Sequence, residues 1–382
     1  MTKPSTKTIL YLNDNPLPSV FTKNTIPGKE YRLRAALPDI HSIHVICPPD
    51  HHSNPNIEPT PLEKKIIIHH ILPWPYYLRC LPLFIYGFYY AHKYKPILIE
   101  AESPIISGVA AVLIGKILSI PTIVEVRASY HHLIKFHLTF IPLTIKKSIL
   151  NFIYFRVLTH ANAVIANSSL YQTNLNQHHI PSTVINPGLQ YPPPTSNQKS
   201  SIPIIGYLGR LVPEKGVRLL IDAASILTND ASCPHFKVEI AGNGPEQSSL
   251  IDLVNQLNLN HRISFLGQVP NYSTLKRWYL LVNPNLVHHP LEMVNAEAAL
   301  LGVPVICFGT SRYPETVKHL QTGIKIKSST SPQLAKAIKH LLTHPSLHHQ
   351  LSQNGPKFAR RHYCFESQVS RLRQLYQQLD LI

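Results

Sequence analysis

The sequence lacks features that would assign it to several common classes of protein. Its longest strongly apolar runs, residues 80–91 and 136–145, fall short of the roughly 20 residues that a membrane-spanning helix needs. The run near the amino terminus, residues 9–12, is too short for the hydrophobic region of a secretory signal peptide. We therefore expect no spanning helix and a cytoplasmic location.

Cysteine and acidic residues are both scarce. The five cysteines are odd in number, widely spaced and set in apolar surroundings, which predicts buried free thiols instead of disulfides. The chain has 20 Asp and Glu against 36 Lys and Arg, and its formal net charge of +16 predicts an anionic partner. Because no nucleic-acid-binding motif accompanies this charge, we expect no nucleic-acid partner.

Sequence patterns typical of metal sites are absent. No Asp-x-Asp occurs, which argues against a diphosphate bridged by a metal ion. No His-Glu-x-x-His occurs either, and adjacent His side chains on a strand point to opposite faces. The six His-His pairs are therefore interpreted as compositional bias, and we expect neither a metal nor a cofactor.

Short runs rich in Ile and Val alternate with helical patterns through both halves of the chain. This alternation is typical of parallel strands joined by crossover helices. In the first half the predicted strands are 8–12, 42–47, 65–70, 96–101, 122–127, 163–168 and 183–187. In the second half they are 202–209, 236–242, 263–267, 280–285 and 304–308. Residues 104–120 are apolar on most faces and predict a buried helix.

Length and pattern together predict an α/β protein of two Rossmann-like, doubly wound domains facing across a cleft. Residues 1–190 form the first predicted domain and residues 202–360 the second. A stretch rich in Pro and Ser, residues 191–201, predicts a linker between them. Ligands of such sheets bind beyond the carboxyl ends of the strands.

Two cations follow the predicted strand 202–209. Arg210 comes immediately after Gly209, and the turn "PEKG" brings Lys215 back to the same strand end. Such a pair can neutralise a diphosphate. Two solvated loop charges are the alternative interpretation.

The stretch 288–306 adds a predicted helix start. Free amide groups at Met293 and Val294 favour an anion, and Glu292 in the first turn suits the helix dipole. Glu297 lies further along the helix, where its carboxylate can accept both hydroxyls of a ribose. A solvated helix face is the alternative for Glu297.

Several motifs, in this order, make the chain resemble the family 4 glycosyltransferases of the GT-B fold. They are "VIANSSLYQTNL…VINPGLQ", "GYLGRLVPEKGVRLLIDAASIL", "AGNGPEQSSL", "ISFLGQVP" and "EAALLGVPVI". The resemblance implies that Arg210 and Lys215 bind the diphosphate of a nucleotide-sugar donor. It also implies that Glu297, the second Glu of a Glu-x7-Glu motif, binds the ribose. Gly242 and Gly244 of "AGNGP" permit close backbone approach to the nucleotide.

The resemblance further implies the reaction. A hexosyl group passes from a UDP or GDP sugar to a glycan or lipid-linked acceptor, with retention and without a metal, in bacterial-type surface polysaccharide or glycolipid synthesis. One departure bears on activity, since the first Glu of the motif is His289. A neutral His lacks the negative charge of that Glu, although Glu292 lies three residues away. A catalytically impaired nucleotide-sugar-binding protein and a GT-B epimerase therefore remain alternatives.

In the first domain, "TIPGKEYRLRAAL" with Gly28 and "PTIVEVRASYHH" with Glu125 and Arg127 resemble acceptor-side segments of the family. Glu102, at the end of another predicted strand, joins this acceptor-binding set. A structural ion pair is the alternative for these charges. The resemblance also implies that the terminal helix, within residues 361–382, returns to the first domain.

Basic and aromatic residues occur together at 143–157, and Arg79, Lys93 and Lys95 lie near another aromatic-rich stretch. Docking on an anionic membrane, at its inner face, is one interpretation of this composition. Ordinary helix packing with solvated lysines is the other.

Overall fold

The structure is a computed structural model that divides into two compact units. Unit 1 comprises Met1–Leu189 and Phe365–Ile382, and unit 2 comprises Gln190–Cys364. The described residues are 7–16, 26–49, 62–127, 142–190, 200–269, 271–287, 291–309 and 314–382.

Unit 1 is built on a seven-stranded parallel sheet. Its elements in chain order are β1 (Lys7–Leu12), α1 (Ile26–Ala35), β2 (Ile40–Cys47), β3 (Ile66–His70), α2 (Cys80–Tyr94), β4 (Leu98–Ala101), α3 (Ser107–Leu118), β5 (Thr122–Val126), α4 (Leu143–His160), β6 (Ala163–Ala166), α5 (Ser169–Gln177) and β7 (Thr183–Val184). The strand order is β3-β2-β1-β4-β5-β6-β7, and every neighbouring pair is parallel.

Unit 2 repeats the plan on six strands. Its elements are β8 (Ile204–Leu208), α6 (Val217–Thr228), β9 (Lys237–Ala241), α7 (Gln247–Gln256), β10 (Ile263–Gly267), α8 (Asn271–Arg277), β11 (Leu280–Asn283), α9 (Met293–Leu300), β12 (Val305–Phe308), β13 (Gly323–Ile326), α10 (Ser331–Thr343) and α11 (Pro345–Tyr363). The strand order is β10-β9-β8-β11-β12-β13, again parallel throughout.

The last helix, α12 (Phe365–Gln378), belongs to unit 1 and packs against α1. The backbone amide of Asn186 donates to Gln368 Oε1 at 2.8 Å, and the Phe365 amide donates to the Leu189 carbonyl at 2.9 Å. Leu372 and Tyr376 are fully buried in the core beneath it. These contacts tie the carboxyl terminus of the chain to the first sheet.

The central strands of unit 1, β1, β4 and β5, are buried on both faces, as parallel strands covered by helices on each side are. Alternate residues of β1 face opposite layers. Leu10 and Leu12 join the core under α2, α3 and α4, whereas Ile9 and Tyr11 join the core under α1 and α12. The predicted doubly wound architecture is confirmed in both units.

One prediction about this architecture holds only in part, since seven of the twelve residues of α3 are buried. The helix expected to be buried, α3, leaves Leu113 and Ile117 47% and 59% exposed. A crossover helix in an outer layer presents only one face to the sheet, so its remaining apolar side chains lie at the surface.

All five cysteines are free thiols, of which Cys47 and Cys307 are buried.

Two histidines form an uncharged pair between β2 and β3. His44 Nδ1 lies 2.9 Å from His69 Nε2, and the His44 ring packs on Tyr94 with centroids 3.8 Å apart. Burial lowers the pKa of His44 to about 4, and the nearby His69 and Lys93 act in the same direction. Burial also lowers the pKa of His69.

We therefore expect the free energy of unfolding to decrease as pH decreases, because this pair resists protonation in the folded state. The unfolded chain protonates His44 near pH 6.5 and the folded chain only near pH 4, so the unfolded state binds more protons between these values. Wild type should lose free energy of unfolding, relative to His44→Phe, as pH falls from about 6.5 to 4. Urea unfolding at several pH values measures this. His41→Phe, at an exposed site on the same strand, is the control for replacing a histidine of this strand by phenylalanine. A constant difference for His44→Phe would contradict the assignment.

Candidate functional site

The carboxyl ends of β8, β9 and β11 form the predicted ligand edge of unit 2. The Gly209 amide donates to the Ala241 carbonyl at 3.0 Å, and the Leu211 amide donates to the Asn243 carbonyl at 3.0 Å. The hydroxyl of Tyr207 donates to the Arg210 carbonyl at 2.8 Å. The loops after β8 and β9 are thus held together by their own backbone.

Gly242 and Gly244 serve this loop contact. Gly242 has φ +130°, and a Cβ there would lie 1.8 Å from the Gly209 carbonyl oxygen. A Cβ on Gly244 would lie 2.2 Å from the Leu211 carbonyl oxygen. In the structure it is the neighbouring loop that makes the close backbone approach to these glycines that was predicted for a nucleotide. Donor binding at these glycines stays a prediction.

The structure places the two predicted cations differently. Arg210 is 74% exposed, and its Nη2 lies 3.9 Å from Glu214 Oε1. The Lys215 side chain is 18% exposed, and its Nζ donates to the Glu292 oxygens at 3.3 and 3.4 Å. The solvated alternative thus describes Arg210 in this structure, whereas Lys215 is engaged in an ion pair.

The turn before α6 fixes Lys215. Residues Pro213–Lys215 form a 3-10 turn that ends at Gly216, whose φ of +64° favours glycine. A Cβ on Gly216 would lie 2.2 Å from the Pro284 carbonyl oxygen, so this turn packs against the end of β11. Lys215 is therefore held where β8 and β11 end.

Glu292 occupies the N-cap position of α9 and is also held by Asn285, whose Nδ2 donates to Glu292 Oε1. Met293 and Val294 follow in the first turn of α9 and are half-buried. A small pocket opens beside Glu292. Its lining residues are Asn283, Asn285, Val287, Glu292, Cys307, Phe308 and Pro314.

Glu297 is only 5% exposed within α9. Burial, and then the negative charge of Glu297, raise the pKa of the Tyr272 hydroxyl, which donates to the Gln190 carbonyl at 3.2 Å. The solvated helix face is therefore the wrong alternative for Glu297, and ribose binding by this carboxylate stays a prediction. His289 lies outside the described residues.

Unit 1 contains a buried ionic network on the face of its sheet that α1 and α12 cover. Arg34 of α1 contacts Glu125 of β5 and donates from Nη2 to Glu100 Oε2 of β4 at 2.6 Å. The Tyr376 hydroxyl of α12 donates to Glu100 Oε1, and the Tyr11 hydroxyl donates to Glu125 Oε1 at 3.0 Å. Arg34, Glu100 and Glu125 are each no more than 3% exposed.

Arg127 extends this network to the carboxyl edge of the sheet. Its Nε donates to Glu125 Oε2 at 2.7 Å, and its Nη1 donates to Glu102 Oε1 at 2.8 Å. The structure thus brings three of the four predicted acceptor-side residues together. The ion pairs among these three residues match the alternative interpretation, in which their charges have a structural role. Acceptor binding by these residues stays a prediction. Gly28, the fourth, lies in the first turn of α1.

Burial sets the protonation of these carboxyls. It raises the pKa of Glu125 to about 7, against the opposing effect of the Arg34 guanidinium. Burial, and then the negative charge of Asp14, raise the pKa of Glu102 well above its usual range. Glu102 lies at the end of β4 and is 7% exposed, so it is the carboxyl of this network nearest to the sheet edge.

Sequence reasoning missed two polar groups at these edges. Asp14, 1% exposed after β1, accepts hydrogen bonds from Ser103, Ser107 and Tyr76 at 2.9 to 3.0 Å. Asn285 was missed in unit 2. Both follow a strand end directly, which is the signal that could have identified them.

Comparison with known proteins shows what unit 2 is similar to. Residues 194–358 match the family model of the group 1 glycosyl transferases. Unit 2 is therefore similar to these enzymes over nearly its whole length. Among curated relatives, the chain is 26% identical over 182 residues to the alpha-D-kanosaminyltransferase of Streptomyces kanamyceticus, covering 47% of this chain and 46% of the relative.

A second curated relative is the GDP-mannose-dependent alpha-(1-6)-phosphatidylinositol monomannoside mannosyltransferase of Mycobacterium tuberculosis. It is 27% identical over 149 residues, which cover 37% of this chain and 38% of the relative. The matched stretch thus spans less than half the length of either curated relative.

Solved structures share the fold over nearly the whole chain. Anabaena HepE in complex with UDP superposes with a TM-score of 0.74 and 19% identity, covering 97% of this chain and all of that one. Sucrose-phosphate synthase from Thermosynechococcus elongatus gives 0.74 and 20% identity over 98% and 99%. The predicted fold class, GT-B, is confirmed.

Two features are absent from the described part of the chain. No described helix combines the length and apolarity needed to cross a bilayer. No cluster of three or more His, Cys, Asp or Glu side chains suited to a metal ion occurs in the described part of the chain.

Proposed function

We propose that this protein is a family 4 glycosyltransferase. It moves a hexosyl group from a UDP or GDP sugar to a glycan or lipid-linked acceptor, with retention and without a metal or cofactor. It acts in the synthesis of surface polysaccharide or glycolipid. It is located in the cytoplasm, at the inner face of a membrane. The observation that carries the proposal is the Lys215 ammonium beside the amino end of α9, inside the matched glycosyltransferase domain.

The donor diphosphate binds where Lys215 now meets Glu292. An ammonium and free helix amides both attract phosphate oxygens. The Glu292 carboxylate neutralises Lys215, and the diphosphate displaces it as the partner. Arg210, exposed at the same loop, adds a second positive charge as negative charge develops on the leaving group.

The acceptor binds at the carboxyl edge of the unit 1 sheet. Glu102 and Arg127 provide an acceptor and donors of hydrogen bonds at that edge. Glu125 lies deeper and orients Arg127 through its 2.7 Å contact, and Gly28 begins the helix that carries Arg34. The acceptor role of Glu125 is therefore indirect.

Two other functions share this geometry. A protein that binds nucleotide sugars without turnover is favoured by His289 at the first motif position. An assay of donor hydrolysis by His289→Glu distinguishes this function from that of an active transferase, since only a catalytically impaired protein gains turnover from the substitution. A GT-B epimerase is separated by the products formed from a labelled donor without any acceptor.

A thermal-shift screen with UDP, GDP and ADP sugars in EDTA tests the proposal. A donor at a hundred times its dissociation constant should stabilise the protein by about 2.7 kcal/mol. EDTA should leave the shift unchanged, and the anomeric proton coupling of the product should report retention. A melting temperature that no nucleotide moves would count against the proposal.

A further inference from the structure

A long central part of the chain exposes no carboxylate. Between Glu63 and Glu214 only three acidic residues occur, against thirteen Lys and Arg. These three are Glu100, Glu102 and Glu125, which are 0%, 7% and 3% exposed. Every charged carboxyl of the stretch is thus inside unit 1, and its surface charge is positive.

Exposed apolar side chains concentrate on three neighbouring helices of the same stretch. Nine of the seventeen exposed large apolar side chains of the described residues lie on α2, α3 and α4, each between 47% and 67% exposed. They are Leu81, Ile85, Tyr89, Leu113, Ile117, Leu143, Ile145, Ile149 and Phe152. We call this surface the α2–α4 face. Since α3 packs against both α2 and α4, the nine side chains share one side of the unit.

On two helices of this face, the row of exposed apolar side chains is followed, one turn further along the helix, by an exposed cation. On α2, Leu81, Ile85 and Tyr89 recur every four residues, and Lys93 stands one turn further on. On α4, the row that includes Phe152 likewise continues to the exposed Arg156. Additional exposed cations on or next to the three helices are Lys95, Lys116 and Lys147.

The topology gives the face a direction. Each of the three helices connects two parallel strands, so all three run opposite to the strands. Their amino ends, with Leu81 and Leu143, lie at the carboxyl edge of the sheet, where Glu102 and Arg127 meet. Lys93 and Arg156 lie toward the other end.

We propose that the α2–α4 face docks on an anionic lipid bilayer. Apolar side chains enter the interface, and Lys and Arg at its border meet acidic headgroups, as in interfacial helices. An anionic bilayer matches both features of the face, since it offers an apolar interior to the exposed apolar side chains and negative headgroups to the cations. The proposed function already places the protein at a membrane, and this inference identifies the face that docks there. The arrival of a lipid-linked acceptor at the Glu102 edge rests on the proposed function, whereas binding of the face to anionic vesicles is measured without it.

Flotation with phosphatidylcholine vesicles, with and without phosphatidylglycerol, tests the docking of the full chain. Wild type should bind only the vesicles that contain phosphatidylglycerol, and high salt should weaken the binding. Phe152→Glu and Ile85→Glu should each lower the partition coefficient by about tenfold or more. Lys93→Glu with Arg156→Glu should lower it by about fivefold or more.

Ile226→Glu is the matched control, because Ile226 is 42% exposed on α6 of unit 2, and it should bind as wild type does. The binding of UDP or GDP to every variant, measured by thermal shift, shows separately whether the donor site is intact. Equal partition of wild type and Phe152→Glu would overturn the proposal. So would a dimer in sedimentation velocity that Phe152→Glu dissociates while wild type leaves anionic vesicles unbound.

Discussion

Replacing Lys215 by alanine lowers the affinity for a nucleoside diphosphate by about 10- to 100-fold. A hydrogen bond between an ammonium and a charged oxygen contributes about 1.5 to 3 kcal/mol when its partner stays in place. Isothermal titration of UDP and GDP in EDTA measures the effect. Arg218→Ala is the control, since Arg218 is an exposed cation on the following helix, and its affinity should match wild type.

Glu292→Gln should change the same affinity in the opposite direction. Glu292 holds the Lys215 ammonium at 3.3 Å, and a diphosphate must replace that contact. Removing the carboxylate should therefore strengthen diphosphate binding by about fivefold, the scale of a partly exposed ion pair. If both substitutions weaken binding alike, Glu292 contacts the ligand instead of competing with it. If neither changes the titration, the diphosphate binds elsewhere.

Arg34→Ala should produce the largest loss of stability. It leaves Glu100 and Glu125 buried without their shared cation, and breaking a buried ion pair from one side costs about 3 to 5 kcal/mol. The loss should be larger at pH 8 than at pH 5. Without Arg34 the folded-state pKa of Glu125 rises further, because the guanidinium no longer opposes the effect of burial. A carboxyl with a raised folded-state pKa reduces stability as pH rises above its unfolded value.

Urea unfolding at both pH values, with hydrogen exchange of the unit 1 strands, measures this loss. Arg373→Ala on α12 of the same unit is the control, because Arg373 is exposed and surface substitutions change stability by less than about 0.5 kcal/mol. A loss that is the same at both pH values would show that Arg34 acts through packing and not through its charge.

Sequence patterns located the strands of both sheets because buried parallel strands are continuously apolar. The predicted strand at 263–267 matches β10, and most others differ by one to three residues at an end. The same logic missed β13, where "GIKI" carries a lysine and is too short to stand out. It also overestimated the burial of α3, since apolarity alone cannot distinguish a side chain that faces the sheet from one that faces outward.

The site was predictable only in part. Strand-end position and the "PEKG" turn predicted that Lys215 returns to the carboxyl end of β8, and the structure has it there. Diphosphate binding by Lys215 stays a prediction. The partner of Lys215 could not be predicted, because Glu292 lies 77 residues away in sequence and meets it only through the β8 and β11 pairing. The same holds for Arg34 and Glu100, which are 66 residues apart and joined by the order of the sheet.

Turnover of the donor in EDTA by wild type and by the Arg210→Ala, Lys215→Ala double variant tests the central claim most directly. The claim is that side-chain cations of unit 2 stabilise the departing diphosphate. Release of nucleoside diphosphate from the donor found by the thermal-shift screen should fall at least about 100- to 1,000-fold in kcat/KM, with wild type unaffected by the chelator. Undiminished turnover by the double variant would contradict the claim.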